Sequence, residues 1–203
     1  MVNNDDTFEI IKLGIFGESS VGKTHYARKY VNDVNEDFNL PTIGVECFMK
    51  KRILPNGKNY KIKIYDTAGQ ERYRSISKSS IRNCDGIILM YDITNKVTFK
   101  LIGEWIKDIF NIKGEYCPLI LIGNKSDLEN KREVYEEEGL EEAKKYNSIF
   151  FETSAKEGIN VENSIEELLK KIIDNKEKNK KKDNNFKIEK KNKNKTKKKK
   201  NLC

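Results

Sequence analysis

Histidine is nearly missing from this sequence, and cysteine is thinly spread. His25 is the only histidine in 203 residues. It follows a glycine-rich loop at a helical position facing away from that loop, so it reads as a surface or packing residue rather than a general base. Cys47, Cys84, Cys117 and Cys203 lie far apart and form no C-x-x-C pair. That spacing argues against a zinc site or a disulfide framework and fits a reducing, cytosolic compartment. No apolar run approaches the roughly 20 residues that cross a bilayer. The first residues, including Asn3, Asn4, Asp5 and Asp6, lack the basic and apolar regions of a signal peptide.

Charge is unevenly distributed. The formal total is +8, but the stretch from Lys170 to Cys203 holds 16 Lys, no Arg and 4 acidic residues, a net of +12. The other 169 residues carry 24 basic and 28 acidic groups, a net of −4. The basic character therefore belongs to the tail. From about Asn175 the composition is Lys and Asn with almost nothing apolar, too little to offset ordering entropy, so disorder is expected there. Three segments follow: a flexible 1–7, a domain over 8–174 and a basic tail over 175–203.

Within the domain, apolar periodicity places strands at Phe8–Phe16, Val45–Leu54, Lys58–Tyr65, Gly86–Tyr91, Leu119–Ile122 and Ile149–Phe151. The two around Pro55-Asn56-Gly57 read as a hairpin. Helices are expected to about Val31, over Ser75–Arg82, along the run Phe99, Ile102, Trp105, Ile106, Ile109 and Phe110, over Arg132–Tyr146 and over Val161–Ile173. The implied fold class is α/β, a three-layer domain of the P-loop NTPase type. Its six-stranded, mostly parallel sheet is flanked by helices, with ligands at the carboxyl ends of the strands.

Five motifs fall at those strand ends. Gly17-Glu18-Ser19-Ser20-Val21-Gly22-Lys23-Thr24 lies between a strand and a helix, the setting of a phosphate loop. Its glycines let successive N–H groups turn toward an oxyanion at a helix N-terminus. Lys23 can reach the β- and γ-phosphates, and the Thr24 hydroxyl can ligate Mg²⁺. Asp66 ends a strand like an acid that holds Mg²⁺ through water, the Gly69 N–H can meet a γ-phosphate, and Gln70 is placed to orient an attacking water. Thr42 can offer a second hydroxyl to the metal while a γ-phosphate holds its loop. Asn124-Lys125-Ser126-Asp127 reads as a base-selecting loop. The Asp127 carboxylate can accept from N1–H and the 2-amino group of guanine, which adenine does not offer. Glu152-Thr153-Ser154-Ala155-Lys156 can bring backbone N–H groups near Ala155 to the guanine O6, with the Lys125 and Lys156 stems flanking the base. Each motif alone has an ordinary reading as a turn. Their order along the chain makes coincidence negligible.

On these residues the chain resembles the Ras superfamily of small GTPases, and the Rab family most, over roughly Phe8 to Ile173. Thr42-Ile43-Gly44-Val45, the run Asp66 to Ile76 and Tyr91-Asp92-Ile93-Thr94 are its most Rab-like features. The resemblance implies a switch cycling between GTP and GDP, hydrolysing GTP slowly unaided, and acting in vesicle traffic as a monomer. It implies mobile switch regions near 32–48 and 69–82 that meet an exchange factor, an activating protein and effectors. Three departures are plain. Rab proteins usually carry Phe, Trp and Tyr where Cys47, Tyr65 and Ser80 stand, so effector identity does not transfer. The alternatives are a GTP-bound scaffold whose hydrolysis is incidental and a nucleic-acid-binding factor acting through the basic tail.

For the tail, nucleic acid is disfavoured by the lack of Arg and by aromatic interleaving limited to Phe186. Anionic membrane fits better. Rab relatives are prenylated on C-terminal cysteines, generally paired or in a four-residue box; the single Cys203 departs from both arrangements and is the expected lipidation site, with the Lys tail as the second signal. The expected location is the cytoplasmic face of an intracellular membrane, with a cytosolic pool.

Overall fold

In a computed structural model of the chain, residues 8–32, 40–42, 45–66, 74–115 and 117–178 are described, with backbone only at 32, 40–42, 45 and 74–78. Strands β1 (Glu9–Phe16), β2 (Leu40–Thr42), β3 (Val45–Ile53), β4 (Asn59–Asp66), β5 (Gly86–Asp92), β6 (Leu119–Asn124) and β7 (Ile149–Thr153) form one sheet. Its order is β2-β3-β4-β1-β5-β6-β7. The six expected strands are present, and the three-residue β2 adds a short seventh at the edge. β3 runs antiparallel to β2 and β4, and all other neighbours are parallel.

The burial pattern explains this arrangement. β5 and β6 are buried at every position, as strands covered on both faces must be. β4 alternates strictly, with Tyr60, Ile62 and Ile64 inside and Lys61, Lys63 and Tyr65 partly exposed, the pattern of a strand packed closely on one face only. The hairpin between β3 and β4 turns at Asn56-Gly57, where Gly57 N–H donates to Leu54 O at 2.8 Å and Leu54 N–H to Lys58 O at 3.1 Å.

Helices α1 (Lys23–Asn32), α2 (Arg74–Asn83), α3 (Lys96–Lys100), α4 (Ile102–Lys113) and α5 (Glu136–Lys145) connect the strands. The apolar run expected as one helix is two, split at Leu101, whose backbone N–H bonds back to Phe99 O. The helix expected from Arg132 begins only at Glu136, and a 3-10 turn over Ser126–Lys131 precedes the expected start. Trp105, Ile106 and Ile109 of α4 join Phe16, Leu89 and Leu121 in the main core.

The chain divides into two compact units, 1–168 and 169–203. In the first, residues 161–168 are helical and hold the edge of the sheet. Lys50 of β3, almost fully buried, donates to Tyr30 O at 2.9 Å and to Glu162 at 3.0 Å, and Arg52 pairs with Glu162 and with Glu166 at 2.8 Å. In the second, residues 169–178 are helical, so helix extends past the expected end at Ile173.

Gly139 in α5 tests how tightly the layers meet. A Cβ there would lie 2.3 Å from the hydroxyl of the buried Tyr91 and 2.6 Å from the Phe150 ring. Helix propensity alone would favour alanine by about 1 kcal/mol. Overpacking opposes it, so Gly139→Ala should lose about 1–3 kcal/mol of unfolding free energy in urea titrations. A gain would show that α5 can lift away from the sheet.

Candidate functional site

The carboxyl ends of β1, β4, β5, β6 and β7 converge on one region of the first unit. β1 ends in Phe16 and passes directly into Gly17. Gly17 (φ 133°) and Gly22 (φ 101°) adopt conformations that side chains rarely enter. Space excludes side chains as well. A Cβ on Gly17 would sit 2.1 Å from Met90 O, and one on Gly22 would sit 2.2 Å from Asn124 Nδ2. Ser20 also has positive φ, at 64°, and such backbone strain gathers at functional loops. Ser19 and Ser20 are exposed, whereas Val21 is buried.

Lys23 opens α1 and is almost fully buried. Its ammonium donates to Gly17 O at 2.9 Å and Glu18 O at 2.7 Å, bracing the two ends of the loop. No acidic residue stands in the first turn of α1, so the helix's own sequence does not offset the positive end of its dipole. The next residue, Thr24, donates its hydroxyl to Asp66 Oδ2 at 2.5 Å. Asp66 closes β4 with no exposed surface, and its Oδ1 has no hydrogen-bond partner among the described residues. Burial pushes its carboxyl pKa up, only partly offset by the Thr24 hydrogen bond and the charge of Lys23.

A second cluster builds on β6 and β7. Asn124, at 2 % exposure, donates from Nδ2 to Val21 O at 2.8 Å. Its Oδ1 accepts from Thr153 Oγ1 and from the Ala155 backbone N–H, both at 3.1 Å. The Ala155 N–H, expected near guanine O6, donates in this structure to Asn124. Lys125 has left-handed backbone (φ 72°) and pairs with Asp92 Oδ2 at 2.6 Å. Asp92 Oδ1 accepts from the backbone N–H and hydroxyl of Thr94 at 2.8 and 2.7 Å. Ser154 donates from Oγ to Asp127 Oδ1 at 2.6 Å, which joins the two loops expected to hold the base. Lys156 is exposed and pairs with Glu157 at 3.2 Å.

Of the expected site residues, the structure brings together Gly17, Glu18, Val21, Gly22, Lys23, Thr24 and Asp66 at one end. Asn124, Lys125, Asp127, Ser154 and Ala155 assemble at the other, and Asn124 bridges the two groups. The Thr42 side chain, Gly69, Gln70 and Cys203 lie outside the described residues. One residue that sequence reasoning missed is Arg132. It makes a fork to Glu152 at 2.6 and 2.7 Å, contacts Glu129 from 2.7 to 3.0 Å and donates to Val134 O at 2.9 Å. Those bonds keep its guanidinium firmly protonated and fasten the turn bearing Asp127 to β7. No local pattern announces a pair separated by 20 residues.

Comparison with known proteins closes the question of kinship. The sequence matches the Ras family over residues 12–174. The chain belongs to that family. It is 40% identical over 173 residues to "Ras-related protein Rab-3C" of Bos taurus, covering 85% of this chain and 76% of the relative. Over 171 residues it is 40% identical to "Ras-related protein Rab-3" of Caenorhabditis elegans, covering 84% and 78%. Against "Ras-related protein Rab-3A" of Homo sapiens it is 39% identical over 173 residues, covering 85% and 78%. The chain is thus a Rab-type small GTPase, a switch that binds GTP and GDP and hydrolyses GTP. Among the described residues no helix is long and apolar enough to cross a membrane.

The buried Asp66 yields a prediction with a definite sign. Its folded pKa lies above the unfolded value, so ionising it costs stability. That cost appears as pH rises through the unfolded value and is complete above the folded one. Without nucleotide and divalent metal, Asp66→Asn should therefore be more stable than wild type at pH 7. The difference should vanish at pH values below both pKa values. Urea unfolding across pH in the presence of a chelator reads this directly. A variant less stable than wild type at pH 7 would contradict the account.

Proposed function

We propose that this GTPase holds the guanine nucleotide between the two clusters and uses it to direct vesicle-mediated membrane traffic. The observation that carries the reading is Asn124. One buried amide touches both the loop suited to phosphates and the loop suited to the base, so both ends of one ligand are addressed by a single rigid unit. On this reading the amides of residues 17–24 cradle the phosphates, and Lys23, braced on two carbonyls, brings its positive charge to the β- and γ-oxygens. Asp127 accepts from the guanine edge, and Ser154 keeps that carboxylate aimed. The Lys125 stem lies along one face of the base, and exposed Lys156 along the other.

The Thr24–Asp66 pair fits Mg²⁺. A hydroxyl and a carboxylate meet there, and the orphaned Asp66 Oδ1 is an oxygen donor of the kind that a hard cation or its water shell takes up. Thr24, Thr42 and, through water, Asp66 would hold the ion, which supplies charge neutralisation at the phosphate oxygens. Gly69 offers its N–H to the γ-phosphate, and Gln70 orients the attacking water. An arginine that stabilises charge in the transition state is supplied in trans by an activating protein. Loss of the γ-phosphate releases Thr42 and Gly69, and with them the surfaces near 32–48 and 69–82 that an exchange factor, an activating protein and effectors meet. Register sets Cys47 directly opposite Tyr65 on neighbouring strands, so effectors read a smaller, more polar surface here than an aromatic patch would offer. Membrane attachment is through the basic tail, acting with a lipid on Cys203.

The reading is tested with purified full-length protein and Mg²⁺. GDP and GTP should compete for one site, and ATP should be weaker by at least about 10³-fold, because its base offers the Asp127 carboxylate neither of the two guanine donors. Equal ATP binding would overturn it. Gln70→Leu should bind GTP as wild type does and lower the single-turnover hydrolysis rate by about 10-fold or more. An unchanged rate would remove Gln70 from the mechanism.

A further inference from the structure

The phosphate loop contains a negative charge that its proposed task does not need. Glu18 is its second residue, and a carboxylate beside a site for a polyanion opposes binding unless it is held away. What holds it comes from the core. Trp105, the chain's only tryptophan, is 3 % exposed in α4, and its indole N–H donates to Glu18 Oε1 at 3.0 Å. The ring itself is fixed, lying 6.2 Å from the Phe16 ring at 39° within the main core cluster. Phe16 is the last residue of β1, directly before the loop. The same Glu18 contributes its backbone carbonyl to Lys23 at 2.7 Å. One residue is thus held through its side chain by α4 and through its main chain by the lysine expected to bind phosphate.

We propose that Trp105 is a positioning residue for nucleotide retention. Its indole N–H holds the Glu18 carboxylate on the α4 side of the loop and keeps that charge out of the phosphate cradle. The inference rests on the nucleotide-binding reading above and adds to it an acceptor–donor pair joining the core to the loop. Without the donor, the carboxylate is free to turn toward the phosphates, where like charge speeds ligand release. A neutral amide at position 18 removes the repulsion whether or not the donor is present.

The test follows release of a fluorescent GDP from the full-length protein in Mg²⁺, for wild type, Trp105→Phe, Glu18→Gln and the double variant. Phenylalanine keeps an apolar ring against Phe16 and loses only the N–H. Trp105→Phe should release GDP about 10-fold faster, corresponding to about 1.4 kcal/mol, with the difference shrinking at high salt. In the Glu18→Gln background, the same Trp105→Phe change should alter the rate by less than about twofold, a coupling that loss of packing alone does not produce. Wild-type release in Trp105→Phe, or equal acceleration by Trp105→Phe in both backgrounds, would overturn the proposal. A wild-type protein that fails to bind GDP at all would instead remove the nucleotide reading beneath it. Should Trp105→Phe not fold, the wild type still answers. Its indole N–H resonance in the GDP complex should move on Glu18→Gln, which removes the charged acceptor, and an unmoved resonance would overturn the proposal.

Discussion

One buried amide sets the geometry on which the rest of this site depends. Asn124 stands at the end of β6 with its donor on Val21 of the first loop and its acceptor on Thr153 and Ala155 of the last. A buried amide left unpaired costs about 1–3 kcal/mol, so each of these partners is held in place by the others. Gly22 has to be glycine because that amide lies where its side chain would go. Residues more than a hundred positions apart in sequence are in this way set as one surface. A parallel sheet makes this possible, because it delivers the carboxyl ends of successive strands to the same edge.

Electrostatics completes the constraint. The region combines a helix whose own first turn carries no acid, a buried lysine braced on carbonyls and a buried aspartate with one oxygen unmatched among the described residues. Such a set is poorly balanced for folding and well suited to a ligand that brings both negative charge and a cation. Stability given up at a binding site is a common exchange. Arg132 and Lys50, each held by carboxylates outside the site, compensate by locking the turn after β6 and the helical residues 161–168 to the sheet.

How much was legible beforehand depended on the range of each interaction. The strands, the phosphate loop and the order of the motifs are written in local pattern, in the alternation of Tyr60, Ile62 and Ile64 and in the glycines flanking Ser19 and Ser20. Asn124 was legible as part of a base-selecting loop, but its hold on Val21 was not, because a hydrogen bond spanning 103 residues leaves no local trace. The same holds for Arg132 with Glu152 and for Trp105 with Glu18. Trp105 read as core and is core. Only the structure shows that its one polar atom faces the loop. The break at Leu101 and the 3-10 turn after Lys125 were missed because apolar spacing reports a face, not the continuity of a helix.

The claim that the two clusters are one unit is tested most directly by amide hydrogen exchange in the nucleotide-free protein, wild type against Asn124→Ala. If Asn124 holds the phosphate loop, removing its amide should raise exchange at Tyr26, whose N–H donates to Gly22 O at 2.9 Å, by about 10-fold or more, corresponding to at least about 1.4 kcal/mol of local opening, and leave the centre of β5 protected. Unchanged exchange at Tyr26 would mean that the loop keeps its shape alone, and the account would fail.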